Sequence, residues 1–485
     1  MTEAEAVPGL AFSIDQIDAT HLAVDARRVD AVITVRAAAA GGEAVAAAPL
    51  AEVLIMDRSL SMDRGHKIHE AQRAVCVAID ALPDRALFGV VAGESKAEVI
   101  FPPGGGLVRA GARTRTEAKE RVMALRPEGG TRIGRWLEAA AGLLAADPAP
   151  GAVRHALLYT DGKNEHETAA ELDRALAACR GRLVCDVRGL GEDWDYAELL
   201  RIAEALNGEA GAVLDSADLA GDFTRLVRKA ARMVVPRAYL RLRPDKRFTV
   251  ASVTQAYPVR ADLIQHRPPG GDEAAAEVPL GPWTMETRRY EVSLRFDPDS
   301  VPADEIRAAA VELLVETAEG GRERRAHAAL PVCRHSLPGF RTQHPASMTQ
   351  VIRERELGAT ARACVDKWLN GDAEADAELD RAIRLADELG DVRAAKLRHV
   401  AAGSRTDGYR IRPDVTRGEM KRLGLDSRIT GLPPGDPEDP EAPKPPGGGS
   451  PGPGPARVCP NCAAETAEKN ARFCEACGHP LDQRG

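Results

Sequence analysis

The sequence predicts a multidomain α/β protein in which a doubly wound, mostly parallel sheet is inserted into an antiparallel β-sandwich. Its 485 residues are too many for one hydrophobic core, so several domains are expected. Between residues 50 and 233, short apolar runs alternate with helical patterns, which is typical of a parallel sheet covered by helices. On both sides of this region, in 1–48 and 236–335, the pattern is the period-two alternation of strands.

The α/β domain is assigned to residues 50–233. Strands of a parallel sheet are buried on both faces and therefore form nearly continuous apolar runs, as in Val53–Met56. We predict strands at 51–57, 86–92, 97–101, 153–160, 182–189 and 211–215. We predict helices at about 65–82, 113–125, 132–146, 167–179, 196–206 and 217–233. Ligands of such sheets bind at the carboxyl ends of the strands, where loops converge.

The β-sandwich is assigned to residues 236–335, where alternating segments such as 248–257 are separated by turn-rich breaks. The strand-like pieces of residues 1–48 are too short to bury a core by themselves. We therefore expect them to belong to the same sandwich, which makes the α/β domain an insertion.

The C-terminal third is expected to contain four different segments. Residues 345–403 have helical spacing and are predicted to pack on the sandwich. Residues 404–457 are predicted to be a loosely packed arm followed by a linker. The Pro- and Gly-rich linker, 432–457, cannot bury enough apolar surface to fold. A small cysteine-rich domain, 458–485, ends the chain.

Polar side chains follow the first predicted strand of the α/β domain at alternate positions, namely Asp57, Ser59 and Ser61. Thr131, before a predicted helix, and Asp161, after the strand at 153–160, should reach the same edge of the sheet. All five are hard oxygen donors, which Mg²⁺ and similar cations prefer. The sequence therefore predicts a divalent-cation site at this edge.

Two other interpretations of this motif are open. Ser61 or Asp63 could simply satisfy free N–H groups at a helix start. An aspartyl-phosphate phosphatase also places an aspartate at a strand end, but such enzymes usually carry a second acid two residues later, where this chain has Ser59.

In these motifs and their order, residues 50–233 resemble a von Willebrand factor type A (VWA) domain with a metal-ion-dependent adhesion site, of the bacterial intracellular type. The resemblance implies that Ser59, Ser61 and Thr131 ligate Mg²⁺ through their hydroxyls. It implies that Asp57 and Asp161 act through bound water or by direct ligation. Arg58 departs from the family, which often has an apolar or small residue there, but it alters no ligand.

Four cysteines near the C-terminal end form two CxxC pairs separated by eleven residues: Cys459, Cys462, Cys474 and Cys477. Two such pairs complete a tetrahedral zinc ion, and so short a segment needs metal to hold a fold. The segment resembles a zinc ribbon with a structural Zn²⁺. Two disulfides or a redox pair are the alternatives. The other five cysteines are predicted to be free, buried thiols of a reducing compartment.

Composition and the absence of certain motifs argue against several classes of function. The net charge of −8 is spread along the chain without a basic block, which argues against nucleic acid as the main partner. We expect neither a signal peptide nor a membrane span, and place the protein in the cytoplasm. The sequence contains no GxxxxGK[ST] phosphate loop.

These observations together predict a non-catalytic adaptor that binds a protein partner. No nucleophile–base pair accompanies the predicted metal site, and neutral hydroxyl ligands would leave the cation a position for the partner's Asp or Glu carboxylate. The alternative is an accessory subunit of an AAA+ ATPase machine for metal chelation or cofactor insertion. A hydrolase that uses the metal is a third, weaker hypothesis.

Overall fold

The computed structural model describes residues 10–40, 45–146, 151–264, 275–317 and 320–431 and two short strands near the C-terminal end. The chain divides into two units, 1–436 and 437–485. The strands are β1 (Leu10–Ile14), β2 (Thr20–Leu22), β3 (Arg28–Ala39), β4 (Leu50–Asp57), β5 (Leu87–Gly93), β6 (Ala97–Phe101), β7 (Val108–Arg109), β8 (Val153–Thr160), β9 (Val184–Leu190), β10 (Ala210–Val213), β11 (Val235–Pro244), β12 (Phe248–Tyr257), β13 (Ala261–Asp262), β14 (Ala276–Trp283), β15 (Thr287–Phe296), β16 (Glu305–Glu316), β17 (Arg322–Arg334), β18 (Ala401–Ser404), β19 (Gly408–Ile411), β20 (Arg457–Val458) and β21 (Glu465–Thr466).

The α-helices are α1 (Lys67–Ala81), α2 (Ala112–Ala124), α3 (Ile133–Ala146), α4 (Ala169–Cys179), α5 (Tyr196–Ala205), α6 (Leu219–Ala231), α7 (Ala346–Leu369), α8 (Ala375–Leu389), α9 (Arg393–His399) and α10 (Arg417–Asp426). Short 3-10 helices span Leu60–His66, Ser216–Asp218 and Pro298–Ser300.

The α/β region is built on a seven-stranded sheet of order β10-β9-β8-β4-β5-β6, with β7 also paired to β5. β10, β9, β8, β4 and β5 are parallel, whereas β6 and β7 run antiparallel to β5. Alternate residues of β4 enter different cores. Leu54 and Met56 pack with α1 and α6, while Val53 and Ile55 pack with α3, α4 and α5. The α/β fold predicted for this region is therefore confirmed. β7, with only two residues, was not predicted.

Two five-stranded sheets hold most of the remaining strands, in the orders β1-β3-β15-β12-β13 and β14-β11-β16-β17-β2. They share one apolar cluster, to which Ile33 and Val292 contribute from the first sheet and Leu240 and Leu313 from the second. β3 pairs with β15, so strands that precede the α/β region along the chain and strands that follow it share one sheet. β14 was not predicted. It contains proline and glycine, which a sheet tolerates best at an edge, where β14 lies.

The helical segment contacts both neighbouring regions. Met348 and Val351 of α7 pack on the sheets, and Arg355 of the same helix pairs with Glu291 of β15. α10 lies against the α/β region, where Lys421 donates to the Glu192 carbonyl. The rest of α7 joins α8, α9 and α10 around a separate apolar cluster. Residues 404–431 were expected to be a loosely packed arm. In the structure they are packed instead, because β19 and α10 are part of this cluster. Met420 and Leu423 lie on the buried face of α10, and the Thr416 side chain caps its first turn.

In the second unit, β20 and β21 form an antiparallel pair. The four cysteines of the predicted zinc ribbon and the linker 432–456 lie outside the described residues, so the zinc site stays a prediction. Among the helices that the structure describes, none combines the length and apolarity needed to cross a membrane.

Candidate metal centre

Asp57 is the last residue of β4 and both of its carboxylate oxygens accept hydrogen bonds. The Ser59 N–H donates to Oδ1 over 2.7 Å, and the Thr160 hydroxyl donates to Oδ2 over 2.6 Å. The side chain is fully buried. Burial raises the pKa of Asp57 to about 6, against hydrogen bonds from Ser59 and Thr160 that favour the charged form. This carboxylate is thus held in one orientation, and it fixes the backbone of the segment 58–61, the serine loop.

Ser59, Ser61 and Asp161 form a continuous chain of short polar contacts. The Ser59 and Ser61 hydroxyl oxygens lie 2.9 Å apart, and the Ser61 hydroxyl donates to Asp161 Oδ1 over 2.6 Å. Ser59 is 2% exposed and Asp161 is 0% exposed. The loops after β4 and β8 therefore bring their oxygen donors together, as expected for neighbouring parallel strands.

Thr131 borders the same group of oxygens. A Cβ atom added to Gly162 would lie 3.3 Å from Ser61 Oγ and 3.4 Å from Thr131 Oγ1, so both hydroxyls flank this glycine. His166 holds Thr131 from the other side. Its ring Nδ1 accepts the Thr131 backbone N–H over 3.3 Å, and the His166 backbone N–H donates to the Thr131 carbonyl over 3.2 Å. The structure thus places all five predicted site residues at one edge of the sheet.

Lys67, at the first position of α1, is a site residue that sequence reasoning missed. Its Nζ lies 2.8 Å from Asp161 Oδ2 and 3.4 Å from Asp193 Oδ2. Burial by itself would lower the pKa of Lys67, but the hydrogen bond and charge of Asp161 outweigh it and raise the pKa above its usual value. No sequence motif marks this lysine, because its contact with Asp161 joins residues 94 positions apart.

Arg58, the departure from the family pattern, holds the neighbouring loops in place. Its guanidinium contacts Glu98 on β6 at 3.2 Å and Glu128 in the loop after α2 at 3.3 Å. The Arg58 backbone N–H also donates to the Gly93 carbonyl, and its carbonyl accepts the Glu128 N–H. Arg58 therefore connects its own loop with the β5–β6 pair and the loop after α2, without supplying a ligand.

The loop after β8 also fixes the start of α3, directly after Thr131. Asn164 Oδ1 accepts the Ile133 N–H over 3.0 Å, and Glu167 Oε2 accepts the Gly134 N–H over 2.8 Å. These side chains satisfy two N–H groups at the helix start that have no partner within the helix. They were not predicted, since the partners lie more than 30 residues apart.

The helix-start interpretation of the serine motif is not supported. Ser59 precedes the 3-10 helix Leu60–His66, yet within the described part of the chain its hydroxyl caps no helical N–H group. The Ser61 hydroxyl points to Asp161 instead, and Asp63 is exposed. Both serine hydroxyls thus belong to the oxygen cluster.

Comparison with known proteins identifies the class. Residues 51–211 match the family model described as von Willebrand factor type A domain. The solved structure of a von Willebrand factor type A protein from Catenulispora acidiphila is 35% identical, with a TM-score of 0.78, over 89% of this chain and 99% of that one. The chain therefore belongs to the von Willebrand factor type A family, as the sequence predicts.

A second solved structure shows the same fold. The ArnB paralog VWA2 from Sulfolobus acidocaldarius matches with a TM-score of 0.53 and 13% identity, over 87% of this chain and 100% of that one. At this identity the likeness concerns the fold alone. The search of curated proteins finds no match.

Proposed function

We propose that this chain is a non-catalytic adaptor that binds a carboxylate of a protein partner through Mg²⁺, or another hard divalent cation, at the carboxyl edge of the central sheet. The observation that carries the proposal is the chain of contacts from Ser59 through Ser61 to Asp161, bordered by Thr131. Membership of the VWA family, whose domains commonly mediate protein–protein interactions, supports an adaptor role.

The donor set fits a hard cation. Ser59, Ser61, Thr131 and Asp161 offer hydroxyl and carboxylate oxygens, and such oxygens are the usual ligands of Mg²⁺. In the proposal, Ser59, Ser61 and Thr131 hold the cation, with Asp161 beside them. Asp57 positions the serine loop through its bond to the Ser59 N–H. The cation, when bound, attracts an anionic ligand, because neutral hydroxyls leave most of its charge uncompensated.

Lys67 would compete with the cation for Asp161. Its ammonium and a cation would share Asp161, so we infer that cation binding moves Lys67 Nζ away from Asp161 Oδ2. Asp193, 3.4 Å from the same Nζ, offers the ammonium an alternative partner.

The roles of the surrounding groups favour binding over catalysis. Asp57 is fully buried and both of its oxygens accept hydrogen bonds, so this carboxylate presents no exposed oxygen to a substrate. The histidine beside the cluster, His166, accepts a backbone N–H through Nδ1, which gives this nitrogen a structural role.

Magnesium titration by calorimetry tests the site directly. We expect the wild-type chain to bind Mg²⁺, and Ser59→Ala and Asp161→Ala to lose this binding. Asp63→Ala is the matched control, because Asp63 is an exposed acid in the 3-10 helix that contains Ser61. Equal Mg²⁺ affinity in all four proteins would contradict the proposed site.

Affinity purification with wild-type and Asp57→Ala chains tests the adaptor role. We expect magnesium-dependent capture of a protein that is lost with chelator and with Asp57→Ala. Capture unaffected by either would contradict the adaptor mechanism, and capture of an AAA+ ATPase would identify the chain as an accessory subunit of such a machine. Phosphoester turnover abolished by Asp57→Ala would contradict the non-catalytic role.

We further propose that the two five-stranded sheets are the β-sandwich expected from the sequence, with the VWA domain inserted into it. What supports this is their shared apolar cluster and the pairing of β3 with β15. For the C-terminal end, the spacing of Cys459, Cys462, Cys474 and Cys477 supports a structural zinc ribbon. A cytoplasmic location is likewise part of the proposal.

A further inference from the structure

A second cluster of possible metal ligands lies at the edge of one five-stranded sheet, on strands outside the central sheet. β2 pairs in parallel with the end of β17, and this register places His21 opposite Cys333. On its other side His21 pairs with Gln343 through two backbone hydrogen bonds, of 3.1 and 2.8 Å. The His335 N–H donates to the Leu22 carbonyl over 3.0 Å. Three separate segments of the chain therefore meet at this point.

The donor atoms of His21, Cys333 and His335 point toward one another. His21 Nδ1 lies 2.9 Å from His335 Nε2, and Cys333 Sγ lies 3.7 Å from the same nitrogen. All three donor atoms are within 4.8 Å of one another. The two imidazole rings stack with centroids 5.2 Å apart, and Phe340 packs against the His335 ring at 4.1 Å. The rings are thus held by backbone pairing and by aromatic contacts.

We propose that His21, Cys333 and His335 form a binding site for Zn²⁺, separate from both the magnesium site and the predicted zinc ribbon. Two imidazoles and one thiolate suit this borderline-soft ion, unlike the oxygen donors beside Asp161. Bonds of about 2.0 Å to nitrogen and 2.3 Å to sulfur would hold tetrahedral donors roughly 3.5 Å apart. The spacing in the structure needs only small side-chain movements to reach this geometry.

The fourth position of the zinc ion would be open. Three protein ligands and a water molecule is the usual composition of a zinc site that can accept a further ligand. His21 is exposed, whereas Cys333 and His335 are half-buried, so the site lies at the surface. A solvent-side position would be available to water or to an anionic group of another molecule.

A hydrogen-bonded histidine pair is the simpler explanation of the 2.9 Å contact. Such a pair shares one proton between two nitrogens, but it does not account for a thiol directed at the same nitrogen. Zinc binding would move that proton to the other nitrogen of its own ring and release the thiol proton, so one proton would leave as the ion enters. The ion would also connect β2, the end of β17 and the segment that leads to α7.

Zinc content of the full-length chain tests the proposal, provided that the other candidate sites are controlled. We would use the double variant Cys459→Ser/Cys462→Ser, which disables the ribbon, and measure bound zinc after dialysis in excess Mg²⁺. We expect one zinc per chain in this background. Cys333→Ser and His335→Ala should each remove it, and His21→Ala serves as a third ligand variant.

Matched controls separate ligand loss from general damage. His327 is exposed on the same strand as Cys333, and Cys76 is another half-buried free cysteine, so His327→Ala and Cys76→Ser should keep the zinc. Asp161→Ala should also keep it, which distinguishes this site from the magnesium site. Zinc should raise the melting temperature of the ribbon-disabled chain, and this increase should vanish with His335→Ala.

Cobalt supplies a readout that depends on the thiolate. Co²⁺ bound at the proposed site should give a sulfur-to-cobalt charge-transfer band that Cys333→Ser removes and Cys76→Ser retains. Zinc content that is unchanged in Cys333→Ser and His335→Ala would overturn the proposal. So would the absence of zinc from the ribbon-disabled chain when its thermal melting shows it to be folded.

Discussion

Lys67 Nζ lies 2.8 Å from Asp161 Oδ2, while the other oxygen of this carboxylate accepts the Ser61 hydroxyl. Asp161 is fully buried and Lys67 is 21% exposed at its side chain, so this ion pair is shielded from water on the carboxylate side. The Lys67 ammonium therefore neutralises the carboxylate that the proposed cation would need.

Removing this ammonium should strengthen cation binding. We expect Lys67→Met to raise Mg²⁺ affinity about tenfold, a change of about 1.4 kcal/mol, because it removes a positive charge that competes for Asp161. Calorimetric titration with Mg²⁺ measures the change. Lys163→Met is the matched control, since Lys163 is an exposed lysine two positions after Asp161. Weaker Mg²⁺ binding in Lys67→Met would show that Lys67 supports the site.

The Thr160 hydroxyl gives a second prediction, because it donates to the buried Asp57 Oδ2 over 2.6 Å. Thr160→Val keeps the shape and removes the donor. We expect the free energy of unfolding to fall by about 1–3 kcal/mol, as for other buried groups that lose a partner, and Mg²⁺ affinity to fall as well. Urea denaturation and magnesium titration measure the two effects.

The control for Thr160→Val is Thr116→Val. Thr116 is exposed on α2, where its hydroxyl donates only to the Ala112 carbonyl one turn earlier. Its loss should change stability by less than about 0.5 kcal/mol. Equal effects of the two substitutions would mean that the hydrogen bond to Asp57 contributes neither to stability nor to Mg²⁺ affinity beyond what an exposed threonine does.

The sequence was most informative where a feature is local. In the VWA domain each predicted strand and helix is present, because apolar runs and helical periodicity are properties of neighbouring residues. The five oxygen donors could also be predicted, since the topology of a parallel sheet brings the ends of its strands to one edge. β14 escaped prediction because edge position, which permits its proline and glycine, is a property of the whole sheet.

Contacts between distant segments that neither a motif nor the sheet topology marks could not be predicted. Lys67 meets Asp161 only because α1 follows the strand next to β8. His21 and His335 are 314 residues apart and meet through the pairing of β2 with β17. Cys333 was expected to be a buried thiol, but it is half-buried beside two histidines. The one local signal was the spacing of Cys333 and His335, which places both on one face of an extended chain.

The buried group of Glu52, His155 and Asp186 predicts a pH dependence of stability. Burial by itself would lower the pKa of His155, but Glu52 and Asp186, whose carboxylates contact its two ring nitrogens at 2.8 and 3.3 Å, raise it to about 10. The folded chain thus holds this proton more tightly than the unfolded chain, whose histidine pKa is near 6.5. The contribution of this proton to the free energy of unfolding is fully present below pH 6.5 and is lost as the pH rises through 10.

Glu52→Gln tests this dependence, because it removes the carboxylate charge that raises the pKa of His155 most. We expect the free energy of unfolding of the wild-type chain to decline between pH 7 and pH 10 more steeply than that of Glu52→Gln. Denaturant unfolding at several pH values measures both slopes, and other groups that titrate in this range cancel in the comparison. Parallel slopes would contradict the assignment of the proton to His155.

Gly130 gives the last prediction, which concerns the position of Thr131. A Cβ atom on Gly130 would lie 2.2 Å from the His166 ring, so Gly130→Ala must displace either the loop or the histidine that hydrogen-bonds to Thr131. We expect a loss of Mg²⁺ affinity of about tenfold or more. Gly142→Ala is the matched control, because a Cβ atom there meets nothing within 4 Å, and alanine should stabilise α3 by about 0.5–1 kcal/mol. Undiminished magnesium binding by Gly130→Ala would show that the site does not depend on the position of Thr131, and Thr131 would then have to be removed from the proposed ligands.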